Sequence, residues 1–295
     1  MKHSVAVTAP FATPIQPPFS GTILDGRFRI EKELAIGGFG ILYRATDLSN
    51  LSEVVVKRMI QPMHLHGFEC HAFRREVLAN SMLNHPNLIR FISSGHADFG
   101  NGSSQYMAQE YFPATNFADF FESGSPVWPT KMDEARIVLL AVAKTLEYIH
   151  SMGIIHGDIK PANILVKSYA QDSVRLIDFG LMRFLDQSWN LCIGSITSGS
   201  PTYMSPEQFR PYAVADARAD VYSLGIIMRD ALSHIFWPQS PRTGSIITGA
   251  QASPQLNSVV SKATKHELAQ RFQTMQEFRE AIERYLTPYN VVDVV

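Results

Sequence analysis

Cysteine is nearly missing from this chain: two among 295 residues, Cys70 and Cys192. Two so placed build neither a disulfide framework nor a metal-ligand set, and a reducing, cytoplasmic setting is the simplest consequence. No apolar run approaches the roughly 18–20 residues that a membrane-spanning helix needs. Met1-Lys2-His3 lacks the basic start and long apolar core of a secretory signal. Charge of one sign is lacking too. Against 26 Lys and Arg stand 27 Asp and Glu, a net charge of −1, so no electrostatic reason points to nucleic acid or an anionic membrane as partner. Internal repeats are absent. What remains, 45% hydrophobic and 18% charged, is a globular composition long enough for one large domain or two lobes.

The chemistry concentrates in residues 154–180. Ile154-Ile155, Ile164-Leu165-Val166 and Val174 to Ile177 are short apolar runs that predict buried strands. Between the first two lies His156-Gly157-Asp158-Ile159-Lys160-Pro161-Ala162-Asn163. Pro161 fixes its own φ and has no N–H to donate, which predicts a rigid loop over Asp158–Asn163, neither helix nor strand. Asp178-Phe179-Gly180 closes the stretch. Phosphoryl transfer needs a carboxylate facing the attacking hydroxyl, a cation for the transferred group, and oxygen ligands for Mg²⁺. Asp158, Lys160, Asn163 and Asp178 meet those needs. Two ordinary aspartates capping strand ends would be the bland explanation.

Here the chain resembles the eukaryotic-like protein kinases, closest to the bacterial serine/threonine kinases. His156-Gly157-Asp158 stands where the family carries His-Arg-Asp, a non-RD variant, and Asp178-Phe179-Gly180 is its Asp-Phe-Gly. The resemblance covers about residues 22–288 with the motifs in family order. It implies a bilobal α+β fold. The first lobe, 22–112, is an antiparallel β-sheet with one main helix, and the second, 113–288, is mostly helical. A flexible Pro-containing leader over 1–21 and a tail over 289–295 flank them.

In chain order, an alternating strand over Gly26–Leu34 leads to Ala35-Ile36-Gly37-Gly38-Phe39-Gly40 and then to Ile41-Leu42-Tyr43. The family's Gly-rich loop matches here, with Ala35 at its first glycine position. Glu53–Lys57 is a strand ending on the lysine that the family sets on the nucleotide phosphates, with Val55 at the usual alanine position. A helix over Phe73–Leu78 carries Glu76, 19 residues further on, as its ion-pair partner. His85-Pro86-Asn87-Leu88-Ile89 follows, then a hairpin with Gly100-Asn101-Gly102 as its turn. Gln109 occupies the gatekeeper position, and Glu110 to Phe112 form the hinge toward adenine. A long helix runs from Thr130–Asp133 to Ser151 and is closed by Gly153. Ser205-Pro206-Glu207 matches Ala-Pro-Glu, with Arg271 as the partner of Glu207. Asp220 braces the catalytic loop. A final helix, capped at Thr274, buries Phe278, Ile282 and Tyr285 and ends at Pro288.

The resemblance implies Mg²⁺ and ATP as cofactors and serine or threonine residues of proteins as acceptors. Leu34, Ala35, Ile36, Gly37, Gly38, Phe39, Gly40, Leu42, Val55, Lys57, Gln109, Glu110, Phe112 and Asn163 would hold the nucleotide, and Asn163 with Asp178 the metal. Asp158, Lys160, Lys57 and Glu76 would carry the chemistry. The alternative is a weakly catalytic or inactive nucleotide-binding scaffold, suggested by Ala35, Leu42, Val55 and Gly157. Two regulatory expectations follow. Gly157 has no side chain to grip a phosphate on the loop bearing Ser188, Ser195, Thr197 and Ser198, so activation-loop phosphorylation should matter little. Asn80 stands where the family stacks an apolar residue between Phe91 and Phe179. Either its helix docks loosely and an activating protein partner completes it, or the amide is satisfied locally or by water.

Overall fold

The computed structural model describes residues 20–37, 40–59, 68–99, 103–119, 132–168, 170–184, 201–209, 216–236 and 253–286. Most of the leader, Gly38, Phe39, the 100–102 turn, Thr130, residues 185–200 with their four candidate phosphoacceptors, Pro288 and the 289–295 tail lie outside them.

Strands β1 (Ile23–Leu24), β2 (Phe28–Gly37), β3 (Gly40–Asp47), β4 (Ser52–Arg58), β5 (Phe91–Asp98) and β6 (Ser103–Glu110) form one antiparallel sheet ordered β1-β2-β3-β4-β6-β5. Period-two alternation divides its faces. Leu24, Phe28, Ile30, Tyr43, Val54, Val56 and Tyr106 bury on one side. On the other, β4 pairs Val55 with Gln109 and Lys57 with Met107. Helix α1 (Phe68–Met82) packs there through Phe73 against Met59 and Met107.

Two strand predictions need correction. The alternation missed β1, which pairs Leu24 with Phe28 across a turn where Asp25 and Gly26 both have positive φ. It also ended β2 too early. Ala35, Ile36 and Gly37 are strand residues paired with Leu42, Ile41 and Gly40, because backbone pairing with β3 continues into what glycine content marks as loop. Gly40 also has a packing reason to be glycine: a Cβ there would come 2.5 Å from the Arg58 carbonyl.

The second half is mostly helical: α2 (Met132–Ser151), α3 (Arg218–Phe236), α4 (Pro254–Ala263) and α5 (Met275–Tyr285). Val138, Leu139, Val142, Leu146 and Ile149 of α2 lie at the centre of a core shared with Val221, Leu224, Val259, Phe278 and Ile282. Gly153, at φ +72°, ends α2 as expected. In α5 the Thr274 side chain accepts from the Glu277 N–H at 3.1 Å, the predicted cap. Tyr285, predicted to be buried, is only partly so. Two small ladders stand between the halves: β7 (Thr115–Asn116), β9 (Ile164–Val166) and β10 (Val174–Leu176), and β8 (Ile154–Ile155) with β11 (Arg183–Phe184). The loop between β8 and β9 is not wholly irregular, because Pro161–Asn163 is a 3-10 turn whose first position suits the restricted φ of proline.

Arg271 holds the helical half together. Its guanidinium is fully buried and bidentate to Glu207 at 2.7 Å on both oxygens. The remaining donors reach the carbonyls of Lys265, Arg218 and His266 at 2.6, 3.1 and 3.0 Å. Lysine has three donors and no planar fork, so it cannot replace this set. Arg271→Lys and Arg271→Ala should each lose about 3–5 kcal/mol by stranding buried Glu207, a fall of roughly 10 °C in Tm. Thermal unfolding checks it, and either variant melting within 2 °C of wild type would contradict the assignment.

Candidate active site

Lys57 sits at the end of β4 with only 8% of its surface exposed. A buried ammonium survives only when paired. Its Nζ lies 2.6 and 2.8 Å from the two carboxylate oxygens of Glu76 on α1 and 3.2 Å from Asp178 Oδ1. Burial alone would lower the Lys57 pKa, but the charges of Glu76 and then Asp178 outweigh it, so the pKa is raised and Lys57 stays a cation. Asp178 is held below the usual carboxylate range: burial opposes this, and the Lys57 charge and hydrogen bond prevail. The backbone at Asp178 is left-handed, φ +66°, which turns its side chain away from the strand direction of β10.

The β8–β9 loop supplies the second cluster. Lys160 Nζ donates to Asp158 Oδ2 at 2.7 Å. Asn163 Nδ2 donates to the same oxygen at 3.1 Å and to the Asp158 carbonyl at 2.8 Å. Both donors therefore gather on one oxygen of Asp158, leaving Oδ1 as its open acceptor among the described residues. Asn163, its amide nitrogen spent, likewise keeps Oδ1 open. The loop is braced from below by the fully buried Asp220 at the start of α3. It accepts from the His156 and Gly157 N–H groups at 2.9 Å each and from His150 Nε2 at 2.8 Å. This is the role predicted for Asp220; His150 was not foreseen. Gly157 has φ +76°, and a Cβ there would meet the Leu181 carbonyl at 2.9 Å, so glycine relieves strain at this bend.

A cavity of about 330 Å³ opens beside Lys57. It is lined by Leu34, Ala35, Ile36, Gly40, Leu42, Val55, Lys57, Glu76, Gln109, Glu110, Phe112 and Asp178, with Ile89, Tyr111, Leu165 and Ile177 in addition. Of these four only Tyr111, inside the Glu110–Phe112 hinge, was expected from the sequence to face the nucleotide. Asp158, Lys160 and Asn163 are not part of the lining; they stand beyond Asp178, joined to it through the Ile177 N–H, which donates to the Asn163 carbonyl at 3.0 Å. The first half reaches this region through the His85–Ile89 turn, where Asn87 Nδ2 donates to the Val174 carbonyl and Leu88 bridges Leu176.

The Asn80 amide is not without partners. It is buried, its Nδ2 donates to the Glu76 carbonyl at 2.8 Å, and its Oδ1 accepts from Gln109 Nε2 at 2.9 Å. Of the two expectations for Asn80, local satisfaction is the one observed. The His156–Phe179 part of the stack is present, with ring centroids 4.9 Å apart. Gln208 is another contact that spacing did not reveal. Its Nε2 donates to the Gly157 carbonyl at 2.8 Å, and its Oε1 accepts from the Ser205 N–H and hydroxyl at 2.9 Å each. A glutamine following Ser-Pro-Glu was the only available signal.

The chain is similar to known proteins along most of its length. The family model described as protein kinase domain matches residues 28–288. Over 88% of this chain, two proteins named serine/threonine-protein kinase PknB are similar to it, from Mycolicibacterium smegmatis at 31% identity and from Mycobacterium tuberculosis at 32%. Serine/threonine-protein kinase pkn3 of Myxococcus xanthus is 29% identical over 92% of the chain. This chain spans 43% of the length of each PknB and 52% of that of pkn3.

His156 ties the loop to pH. Its Nε2 lies 3.2 Å from the Ile177 carbonyl, and its Nδ1 accepts from the Asp158 N–H at 3.3 Å, which selects the neutral Nε2–H tautomer. Burial lowers its pKa, only partly offset by Asp220, Asp158 and Asp178. Below about pH 6.5 the unfolded chain takes a proton that the folded chain refuses. Stability is therefore full above that pH and falls as pH drops toward the folded pKa, by at most about 1.4 kcal/mol per pH unit per histidine. Burial lowers His85 in the same direction. Unfolding free energies between pH 7.5 and 5.5 should decline for the wild type and decline less for His156→Phe; parallel curves would contradict this tautomer.

Proposed function

Because the chain belongs to the protein kinase family, we propose that it transfers the γ-phosphate of ATP, with Mg²⁺, to serine or threonine hydroxyls of a protein substrate. The observation that carries the reading is Lys57, buried between Glu76 and Asp178 at the wall of a cavity, with the loop of Asp158 and Asn163 bonded to the residue before Asp178. The acceptor class follows the names of the similar proteins and Lys160, two residues after Asp158.

The donor set fits the metal. Mg²⁺ takes hard oxygen ligands and keeps several of its waters, so two protein oxygens suffice beside phosphates. Asp178, kept ionised, and the open Oδ1 of Asn163 are such oxygens. When bound, Mg²⁺·ATP supplies the transferable phosphoryl group and positive charge beside it. Lys57 holds the phosphates, and Glu76 keeps its ammonium aimed. Asp158 presents its open oxygen to the incoming hydroxyl, orients it and takes its proton. Lys160 shifts from Asp158 toward the charge on the transferred group. Leu34, Leu42, Val55 and Leu165 give the nucleotide an apolar slot, and the Glu110–Phe112 backbone offers it hydrogen bonds. A chain doing this work is set where ATP is held, in the cytoplasm. An activating partner was suggested by an unpaired Asn80; since Asn80 is paired, the proposal includes none.

A nucleotide-binding scaffold would bind ATP without transfer. Purified chain, Mg²⁺, labelled ATP and a mixed protein acceptor separate the two. Transfer to Ser and Thr is expected in the wild type. Asp158→Ala and Asp178→Ala should each keep the fold and lose on the order of 10³-fold or more in kcat. Asp178→Ala should in addition weaken Mg²⁺-dependent nucleotide binding. Undiminished kcat in either variant would overturn the assignment.

A further inference from the structure

Asn80 and Gln109 are 29 residues apart and meet through side-chain amides. The polarity of this contact is determined. Asn80 Nδ2 is committed to the Glu76 carbonyl one helical turn back, so only Oδ1 faces β6, and Gln109 must present its NH₂ group there. Glu76 is the residue whose carboxylate grips Lys57. Gln109 lies opposite Val55, two residues before Lys57 on β4. A closed circuit results: Lys57 to Glu76 by ion pair, Glu76 to Asn80 and Asn80 to Gln109 by amide hydrogen bonds, and Gln109 back to β4 by the strand ladder.

Among the described residues the apolar contact between α1 and the sheet centres on fully buried Met59, Phe73 and Met107, with Val77 and Phe91 packed against them. Apolar contact is non-directional and tolerates rotation of a helix about its axis. A paired buried amide has one geometry, and leaving either half unpaired in the interior is costly. The Asn80–Gln109 bond is therefore a directional contact, one turn along α1 from the Lys57–Glu76 pair, that helps specify which face α1 turns to the sheet.

We propose that the Asn80–Gln109 amide pair is a positioning device that sets the rotation of α1, so that Glu76 meets Lys57 without help from another protein. This rests on the reading above that Lys57, aimed by Glu76, holds the nucleotide phosphates. Neither amide touches the reacting atoms; both act through Glu76.

The test uses the full chain as wild type, Asn80→Ala, Gln109→Ala and the double variant. Two quantities are read: kcat/KM for ATP, and the acylation rate of Lys57 by a small amine-reactive reagent without nucleotide, followed by the mass of its peptide. Lys57 held by Glu76 is buried, with its ammonium hydrogen-bonded to both carboxylate oxygens, and reacts slowly. Each single change should speed Lys57 acylation about 10-fold and lower kcat/KM about 10-fold, roughly 1.4 kcal/mol. The double should go no further than the worse single, since a broken relay cannot break twice. Ser81→Ala, on the exposed side of the same helix, should leave both quantities unchanged. Gln109→Glu keeps the shape and removes the donor that Asn80 Oδ1 accepts, and it should repeat the effect should an alanine variant not fold. Wild-type acylation rates in the single variants, or effects that add in the double, would overturn the proposal. Acylation needs no catalysis, so a wild type that transfers no phosphate would sink the kinase reading while leaving this result interpretable.

Discussion

Burying an ammonium group requires an opposite charge at hydrogen-bonding distance, and that requirement at Lys57 organises the site. Two carboxylates answer it, Glu76 from α1 and Asp178 from the segment after β10. Removing Glu76 would take away the closer, fully buried partner, the kind of loss that costs several kcal/mol, whereas removing Asp178 leaves Lys57 still paired with Glu76. One cation therefore couples the sheet, the helix and the second half of the chain. The same cation that holds the structure is one a phosphate-binding site needs.

The second half repeats the logic with different chemistry. Asp220 accepts backbone N–H groups from the bend at His156 and Gly157, and Arg271 spends its donors on Glu207 and three carbonyls. Gln208 links these two supports by bonding the Gly157 carbonyl on one side and Ser205 on the other. Arginine at position 157 would ask the loop to be tied by charge. With glycine, the tie observed among the described residues is a neutral side-chain amide reaching the backbone.

Much of this was legible in the sequence because it is local. Asp158, Lys160 and Asn163 fall within one short loop, and each strand flanking it is a contiguous apolar run. Lys57 and Glu76 were paired by resemblance to the family's strand lysine and helix glutamate, with a separation that suits the pair, and Glu207 with Arg271 by resemblance too. What escaped notice depends on three-dimensional pairing. Asn80 looked like a defect because its partner Gln109 lies on a strand not adjacent in sequence. The reach of β2 to Gly37 is set by its ladder with β3, which residue preference does not encode. Tyr285 matches the helical period yet ends α5, where fewer neighbours remain to cover it. The adenine-side lining by Ile89, Leu165 and Ile177 arises from three separate segments that only the folded chain brings together.

The central claim is that buried contacts of the chain itself assemble the site, with neither a loop phosphate nor a second protein. The most direct measurement is the initial rate of phosphoryl transfer by chain first stripped of phosphate by a phosphatase that is then removed. Mixed with Mg²⁺, ATP and a protein acceptor, the stripped chain should form phosphoserine and phosphothreonine linearly from the first turnover. Transfer that begins only after a lag in which the chain rephosphorylates itself, or only when another protein is added, would contradict it.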